Sequence, residues 1–399
     1  MPELELERYF DHAAATPMRP EAFAAMAPYC MEYFGNPGSI HPFGFQAKEA
    51  VEAARNSIAK TIGAHGKELI FTASGTESNN LAILGGARRM RRLGKGNHVI
   101  ASAVEHPAVR EACRALEAEG FRVTYVPVDE RGRIITEKLQ EAISPDTVLV
   151  SVMHANNVVG TIQPIAEIGA FLRGKNILFH SDAVQSYGKI EVDAVRMQVD
   201  LLTINAHKLG GPKGAAALYV RKGVRIDPII YGGGQERGMR SATPNVAGIV
   251  AFAKAAELAA AELPQEKARL AKLRARLIRR LTGTIPGCKL NGPAADDMYA
   301  EYVLPTHINI GIDRIEGQAL MLELERLGFA TSSGSACSAS GSEPSYVLLA
   351  MGRTREAALE SLRITMGRTT TETSIDELAA AIEQAANQWR SAASLPPLR

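Results

Sequence analysis

Three features of the chain predict an α/β fold, with a mainly parallel central sheet flanked by helices and a smaller α+β unit after it. Short β-rich runs alternate with helical periodicity or Gly/Pro loops between residues 68 and 220, the pattern of a sheet covered on both faces. From Val246 the composition shifts to long stretches rich in Ala, Leu, Arg and Glu. At 399 residues the chain is also long enough for one large unit and a companion.

The elements follow in order. After Pro20 an Ala- and Met-rich helical pattern reaches about Phe34, and Gly35-Asn36-Pro37-Gly38-Ser39 breaks it before a second helical pattern from about Phe45 to Ile62. Strands are expected at Glu68–Thr72, His98–Ala103, Arg122–Pro127, Thr147–Met153, Ile177–Ser181, Leu201–Asn205 and Ala215–Val220. Two helical stretches, Val246–Glu262 and Gln265–Thr282, come next. Pro264 is expected to break them, because proline removes a helical N–H and clashes with the preceding turn. Strands at His307–Ile312 and Ser361–Met366 then mix with helices at Glu316–Leu327, Ser345–Met351 and Ile375–Arg390. The expected division is a large domain over 15–255 and a small one made of 1–14 and 256–399.

Composition excludes several classes. The 45 basic side chains nearly balance the 43 acidic ones and are scattered, so nucleic acid is not indicated. The run Arg88, Arg89, Arg91 and Arg92 reads as a solvated helix face, with a phosphate-binding patch as the weaker alternative, and ends at Leu93, Gly94 and Gly96. Cys30, Cys113, Cys288 and Cys337 show neither metal-ligand spacing nor a disulfide framework, which points to a reducing cytoplasm. Met1 to Arg8 is acidic without an apolar h-region, and no stretch is apolar enough to span a bilayer. A soluble protein without a membrane or metal partner is expected.

Several segments carry chemistry. His207-Lys208 follows Asp182 by about one βα unit. A lysine can hold the aldehyde of pyridoxal phosphate as a Schiff base, and an aspartate can keep its ring nitrogen protonated. On spacing alone such a pair is more often surface charge. The segment Thr72-Ala73-Ser74-Gly75-Thr76-Glu77-Ser78-Asn79 follows a strand and opens a helix. Ser74 and Glu77 fit a capping box, while Gly75 and Thr76 fit a phosphate cradle at the positive end of the helix dipole. His106, before Pro107, is either a cap or a residue able to stack on a flat cofactor and move a proton. Asn156 and Asn157 end a strand as turn residues. Asp182 ends another, and a carboxylate there needs solvent or a partner such as a pyridinium N–H. Gly232-Gly233-Gly234 with Arg240, Ser241 and Thr243 reads as a loop offering anion donors. In Ser332-Ser333-Gly334-Ser335-Ala336-Cys337-Ser338-Ala339-Ser340-Gly341 the small polar residues point to a surface loop. Cys30 and Cys113 sit in apolar helical patterns and fit buried, inert thiols. Cys337 fits a nucleophile better.

Taken together these motifs resemble the group I cysteine desulfurases, the NifS/IscS type within the fold-type I pyridoxal phosphate enzymes of the class V aminotransferase family. The resemblance runs from Phe10-Asp11-His12-Ala13-Ala14-Ala15-Thr16-Pro17 through Phe34-Gly35-Asn36-Pro37 and His207-Lys208 to Ser332–Cys337 and Glu343-Pro344-Ser345. It implies that Lys208 is the Schiff-base lysine, Asp182 the partner of the pyridine nitrogen and Gln185 a donor to the ring hydroxyl. His106 would be the ring-stacking acid/base. Gly75, Thr76 and His207 would bind the phosphate, with Thr243 of a second subunit in a homodimer. Arg363, with Asn157, would hold the substrate carboxylate, and a bidentate guanidinium suits that task. L-Cysteine would become L-alanine, its sulfur passing as a persulfide on Cys337 to an acceptor such as an iron–sulfur scaffold. Asn205 departs from the serine of many relatives and is expected still to reach the phosphate. Residues 394–399 do not resemble the tail by which housekeeping members dock the scaffold. The competing readings are a selenocysteine lyase or other C–S lyase, and a catalytically silent sulfur carrier.

Overall fold

A seven-stranded sheet forms the centre of the computed structural model, which describes residues 5–294, 300–333 and 343–392. Its strands are β1 (Leu69–Thr72), β2 (His98–Ser102), β3 (Arg122–Val126), β4 (Thr147–Ser151), β5 (Leu178–Asp182), β6 (Leu201–Asn205) and β7 (Ala216–Val220). They lie in the order β1-β7-β6-β5-β4-β2-β3. Pairs from β3 to β6 are parallel, and β7 runs antiparallel to both β6 and β1. Hence β1 points the same way as the parallel set. Consecutive residues of one strand enter cores on opposite faces: Val99 and Ala101 pack with Val109, Ala112 and Leu116, whereas Ile100 packs with Ile58 and Phe252. Burial on both faces explains why the parallel strands read as apolar runs rather than as alternation.

A second, antiparallel sheet is built from β8 (Cys288–Leu290), β9 (His307–Ile312), β10 (Ser332–Ser333) and β11 (Ser361–Thr365), in the order β10-β11-β9-β8. Its own core joins Ile308, Ile310, Leu362 and Ile364 to Leu273, Leu277, Leu378 and Ile382 of two helices. Phe10 belongs to this core, and Tyr9 and Asp11 bridge to Ala330 and Thr365.

Two sequence expectations are corrected. Pro264 does not break the helical stretch: one helix runs from Val246 to Thr284 with the proline inside. Its first half buries Ile249, Phe252 and Ala256 in the large core and its second half buries Leu270, Leu273 and Leu277 in the small one. Several buried side chains, each stabilising by about 1.5–3 kcal/mol, outweigh the ~3 kcal/mol cost of an interior proline. Cys30 is exposed, not buried. Its helix, Pro20–Met31, buries Ala22 alone, and Phe23, Met31, Phe34, Ile40, Phe43 and Phe45 nearby are also exposed. Cys113 is buried as expected.

Two buried histidines tie acid sensitivity to this architecture. His180 of β5 hydrogen-bonds Ser151 Oγ at 2.9 Å and Thr203 Oγ1 at 3.1 Å, crossing three strands. His154 meets Ser186 Oγ at 2.9 Å. Burial pushes them down to about 3 and about 4 respectively. The unfolded chain takes each proton near pH 6.5, so this stabilisation is present above that pH and is lost as the pH falls through 6.5 toward those values. At pH 5 the expected loss is about 2 kcal/mol for each histidine. Melting temperatures measured between pH 7 and 5 check it, and a flat profile would contradict it.

Candidate active site

The carboxyl ends of β1, β2, β4, β5 and β6 open into one cleft of about 390 Å³, within the usual ~300–1,000 Å³ range for small-molecule sites. This is where parallel sheets hold ligands. From the large sheet come Ser74, Gly75 and Thr76 after β1, His106 after β2 and Met153 and Asn157 after β4. Asp182 and Asn205 close β5 and β6, with Gln185, His207 and Lys208 beyond them. Asp11, Ala13 and Ala14 arrive from the N-terminal segment, and Ser332 and Arg363 from the second sheet.

Asp182 is the anchor of the floor. Its carboxylate accepts from Asn79 Nδ2 at 2.7 Å and from the Val184 N–H at 2.9 Å. It is 4% exposed, and among the described residues no cationic side chain is bonded to it, so it suits the N–H of a protonated ring. Lys208 Nζ donates to the carbonyls of Ala13 and Ala14. His106 caps the helix Pro107–Ala118, its Nδ1 accepting from the Ala108 N–H at 3.1 Å. His106 thus caps this helix and also lines the cleft. Acceptance at Nδ1 puts the proton of the neutral ring on Nε2, and burial holds the imidazole below its ordinary pKa, against the raising effect of Asp182.

The segment after β1 likewise both caps a helix and lines the cleft. Ser74 Oγ accepts from the Glu77 N–H at 3.1 Å, and Glu77 reaches back to the Ala73 N–H at 2.9 Å while pairing with Arg240 at 2.6 Å. The helix so capped aims its first turn into the cleft. A Cβ at Gly75 would stand 2.8 Å from Val184 Cγ2 and 3.5 Å from Asn205 Nδ2, so this close approach requires glycine. His207 beside it is pushed down to about 4 by burial and by Lys208, Lys213 and Lys189. An imidazole in that state is neutral at pH 7 and can donate one hydrogen bond to an anion.

Arg363 lies opposite, 6% exposed. One guanidinium nitrogen pairs with Asp11 Oδ1 at 2.8 Å and another donates to the Asn157 carbonyl at 3.2 Å. Its Nε and the side-chain oxygens of Asn157 and Asn205 are buried without hydrogen-bond partners. Orphaned polar atoms around a cleft are the mark of a site shaped for a polar ligand. Pyridoxal phosphate fits this donor set: a carboxylate for its ring nitrogen, a helix start for its phosphate and a lysine for its aldehyde. Among the described residues no cluster suited to a metal ion occurs.

Of the residues expected from the sequence, Gly75, Thr76, His106, Asn157, Asp182, Gln185, Asn205, His207, Lys208 and Arg363 all line the cleft. Thr243 is exposed and does not. Cys337 and residues 394–399 lie outside the described residues. Sequence reasoning missed Asp11 and Asn79, although both stood inside motifs it singled out. It gave no sign that Asp11 meets a guanidinium 352 positions away.

The fold and this donor set define a fold-type I pyridoxal phosphate enzyme. The model of the aminotransferase class-V family matches residues 8–378. A protein named cysteine desulfurase IscS from Dictyoglomus turgidum is 46% identical over 388 residues, covering 97% of this chain and 96% of the relative. One of the same name from Clostridium botulinum is 45% identical over 387 residues, with the same coverage. A solved structure titled NIFS-like protein superposes with a TM-score of 0.88 at 37% identity, covering 95% of this chain and 99% of the other. The chain belongs to the pyridoxal-phosphate-dependent aminotransferase class-V family and groups there with the cysteine desulfurases.

Proposed function

We propose that the chain is a cysteine desulfurase that converts L-cysteine to L-alanine and takes the sulfur onto Cys337 as a persulfide. The observation that carries the reading is a single cleft joining Lys208, Asp182 and His106 to an arginine, in a chain about 45% identical to proteins named cysteine desulfurase. Bound pyridoxal phosphate withdraws electrons from the carbon that bears the substrate amine.

The chain's own groups do the rest. Lys208 would hold the cofactor aldehyde, and its amine is the group placed to move a proton at the substrate carbon. Asp182, fixed by Asn79 and Val184, accepts the ring N–H. Gln185 would donate to the ring hydroxyl, and His106 would stack on the ring with its Nε2–H available. Gly75, Thr76, Asn205 and His207 would hold the phosphate. Arg363, with Asn157, takes the substrate carboxylate, its unpartnered Nε adding a donor to the nitrogens already engaged.

A second copy of the chain covers the apolar surface around Phe34, Ile40 and Phe43, of which Ile40 is 89% exposed. In that homodimer Thr243 reaches the phosphate of its neighbour. The persulfide is delivered to an acceptor such as an iron–sulfur scaffold. The enzyme works in the cytoplasm, where its thiols stay reduced; no described helix is long and apolar enough to cross a membrane. The separate core of the second sheet supports a division into 15–255 on one side and 1–14 with 256–399 on the other, although Val347, Leu348 and Met351 pack on the large unit. Purified protein given pyridoxal phosphate, L-cysteine and a thiol reductant is expected to yield alanine and sulfide in equal amounts. Pyruvate in place of alanine would identify a C–S lyase instead.

A further inference from the structure

Lys189 stands four residues after Gln185 and outside the cofactor cleft. It lines a second, smaller cavity of about 80 Å³, together with His12 and Thr306. Lys208 lines both cavities and forms part of the wall between them. Lys189 Nζ donates to Gln185 Oε1 at 3.0 Å. In its ammonium form Lys189 has donors and no acceptor, so in that form it holds the oxygen of the amide and not its NH2 group. Gln185 Nε2 is thereby turned the other way, where it donates to the Ala13 carbonyl at 3.0 Å on the cleft wall. Without this partner only the bond to the Ala13 carbonyl would hold the amide against a half-turn that presents an acceptor where a donor is needed.

The surroundings of Lys189 explain why the contact matters. Burial, Lys208 and Arg363 push its amine down to about 7, and it in turn lowers His12, His207 and His307. A cation among cations destabilises the fold unless something compensates it. A neutral apolar residue would fill the same space without that cost. The Gln185 oxygen is the compensation this site provides.

We propose that Lys189 is a positioning residue of the cofactor site: by holding Gln185 Oε1 it keeps the Gln185 N–H groups facing the ring hydroxyl of pyridoxal phosphate. The inference rests on the assignment of Gln185 to that hydroxyl.

A double-mutant cycle on cofactor-free protein tests it, with pyridoxal phosphate as the titrant and visible absorbance as the readout. Lys189→Met is expected to weaken binding about tenfold, the effect of one misplaced hydrogen bond. Gln185→Leu is expected to weaken it at least as much, and the double variant no further than Gln185→Leu alone. Lys189→Arg, another pure donor, is expected to keep most of the affinity. Wild-type affinity in Lys189→Met, or the same loss in both backgrounds, would overturn the proposal while leaving Gln185 in place. Unchanged affinity in Gln185→Leu would remove the Gln185 assignment and the proposal with it. If Lys189→Met does not fold, Lys189→Ala, which enlarges the second cavity rather than filling it, takes its place in the cycle.

Discussion

Lys208→Ala is expected to abolish turnover of L-cysteine, lowering sulfide production by about 10³-fold or more, equivalent to ~4 kcal/mol of transition-state stabilisation. The pocket around it should survive. Asp182 keeps its bonds to Asn79 and Val184, and the helix start at Gly75 is capped by Ser74 and Glu77, none of which depends on Lys208. Pyridoxal phosphate should therefore still bind, without a covalent link. Borohydride reduction followed by mass spectrometry checks this: wild type should carry the cofactor on the peptide containing Lys208, and the variant should carry none. Labelling that persists in the variant would mean that another lysine has been passed over. Lys189, which shares the second cavity with Lys208, would be the first to examine.

Most of the strands could be located from the sequence because each is short, apolar and bounded by turn residues; β6 runs over Leu201–Asn205 and β9 over His307–Ile312, both as expected. The reversed direction of β7 could not be read, since a strand buried on both faces shows the same apolar run whichever way it points. Pro264 misled because a local rule on proline takes no account of a helix held by two cores at once. Cys30 misled for the opposite reason. An Ala- and Met-rich pattern predicts an apolar face, and that face packs Ala22, Met26 and Tyr29 on the large core, but Cys30 lies off it and is exposed. At the site, residues with a local signature were legible: Asp182 closing a strand, His106 before Pro107, and Gly75 at a helix start. Partners made by the fold were not. Asn79 meets Asp182 from 103 positions away, and Lys189 acts through the orientation of an amide, which no spacing reveals.

The other large effect concerns sulfur. The described thiols argue by their own placement for Cys337 as the acceptor. Burial pushes Cys113 up to about 12 and Cys288 up to about 11, so neither supplies thiolate near neutral pH. Cys30 is exposed on the helix Pro20–Met31, outside the lining of the cleft. Cys337 follows Ser333 by four residues, a covalent reach of roughly 14 Å at full extension, and Ser332 already lines the cleft while pairing in register with Arg363. Cys337→Ala is thus expected to bind cofactor and L-cysteine as wild type does, and to lose sulfide and alanine production by about 10²-fold or more. The balance of the step requires that loss. The substrate C–S bond breaks, its electron pair stays on carbon and is protonated to give alanine, and the sulfur leaves bonded to the Cys337 sulfur. A thiol reductant then releases it as sulfide and restores the free thiol. With no sulfur nucleophile at hand, carbon cannot keep that pair. Equal sulfide and alanine from the variant would show that the added thiol reductant takes the sulfur from the substrate directly and releases it as sulfide, without an enzyme thiol, as in a selenocysteine lyase reading. Sulfide with pyruvate would show elimination instead, because a β-elimination expels sulfide without needing any enzyme thiol to receive it.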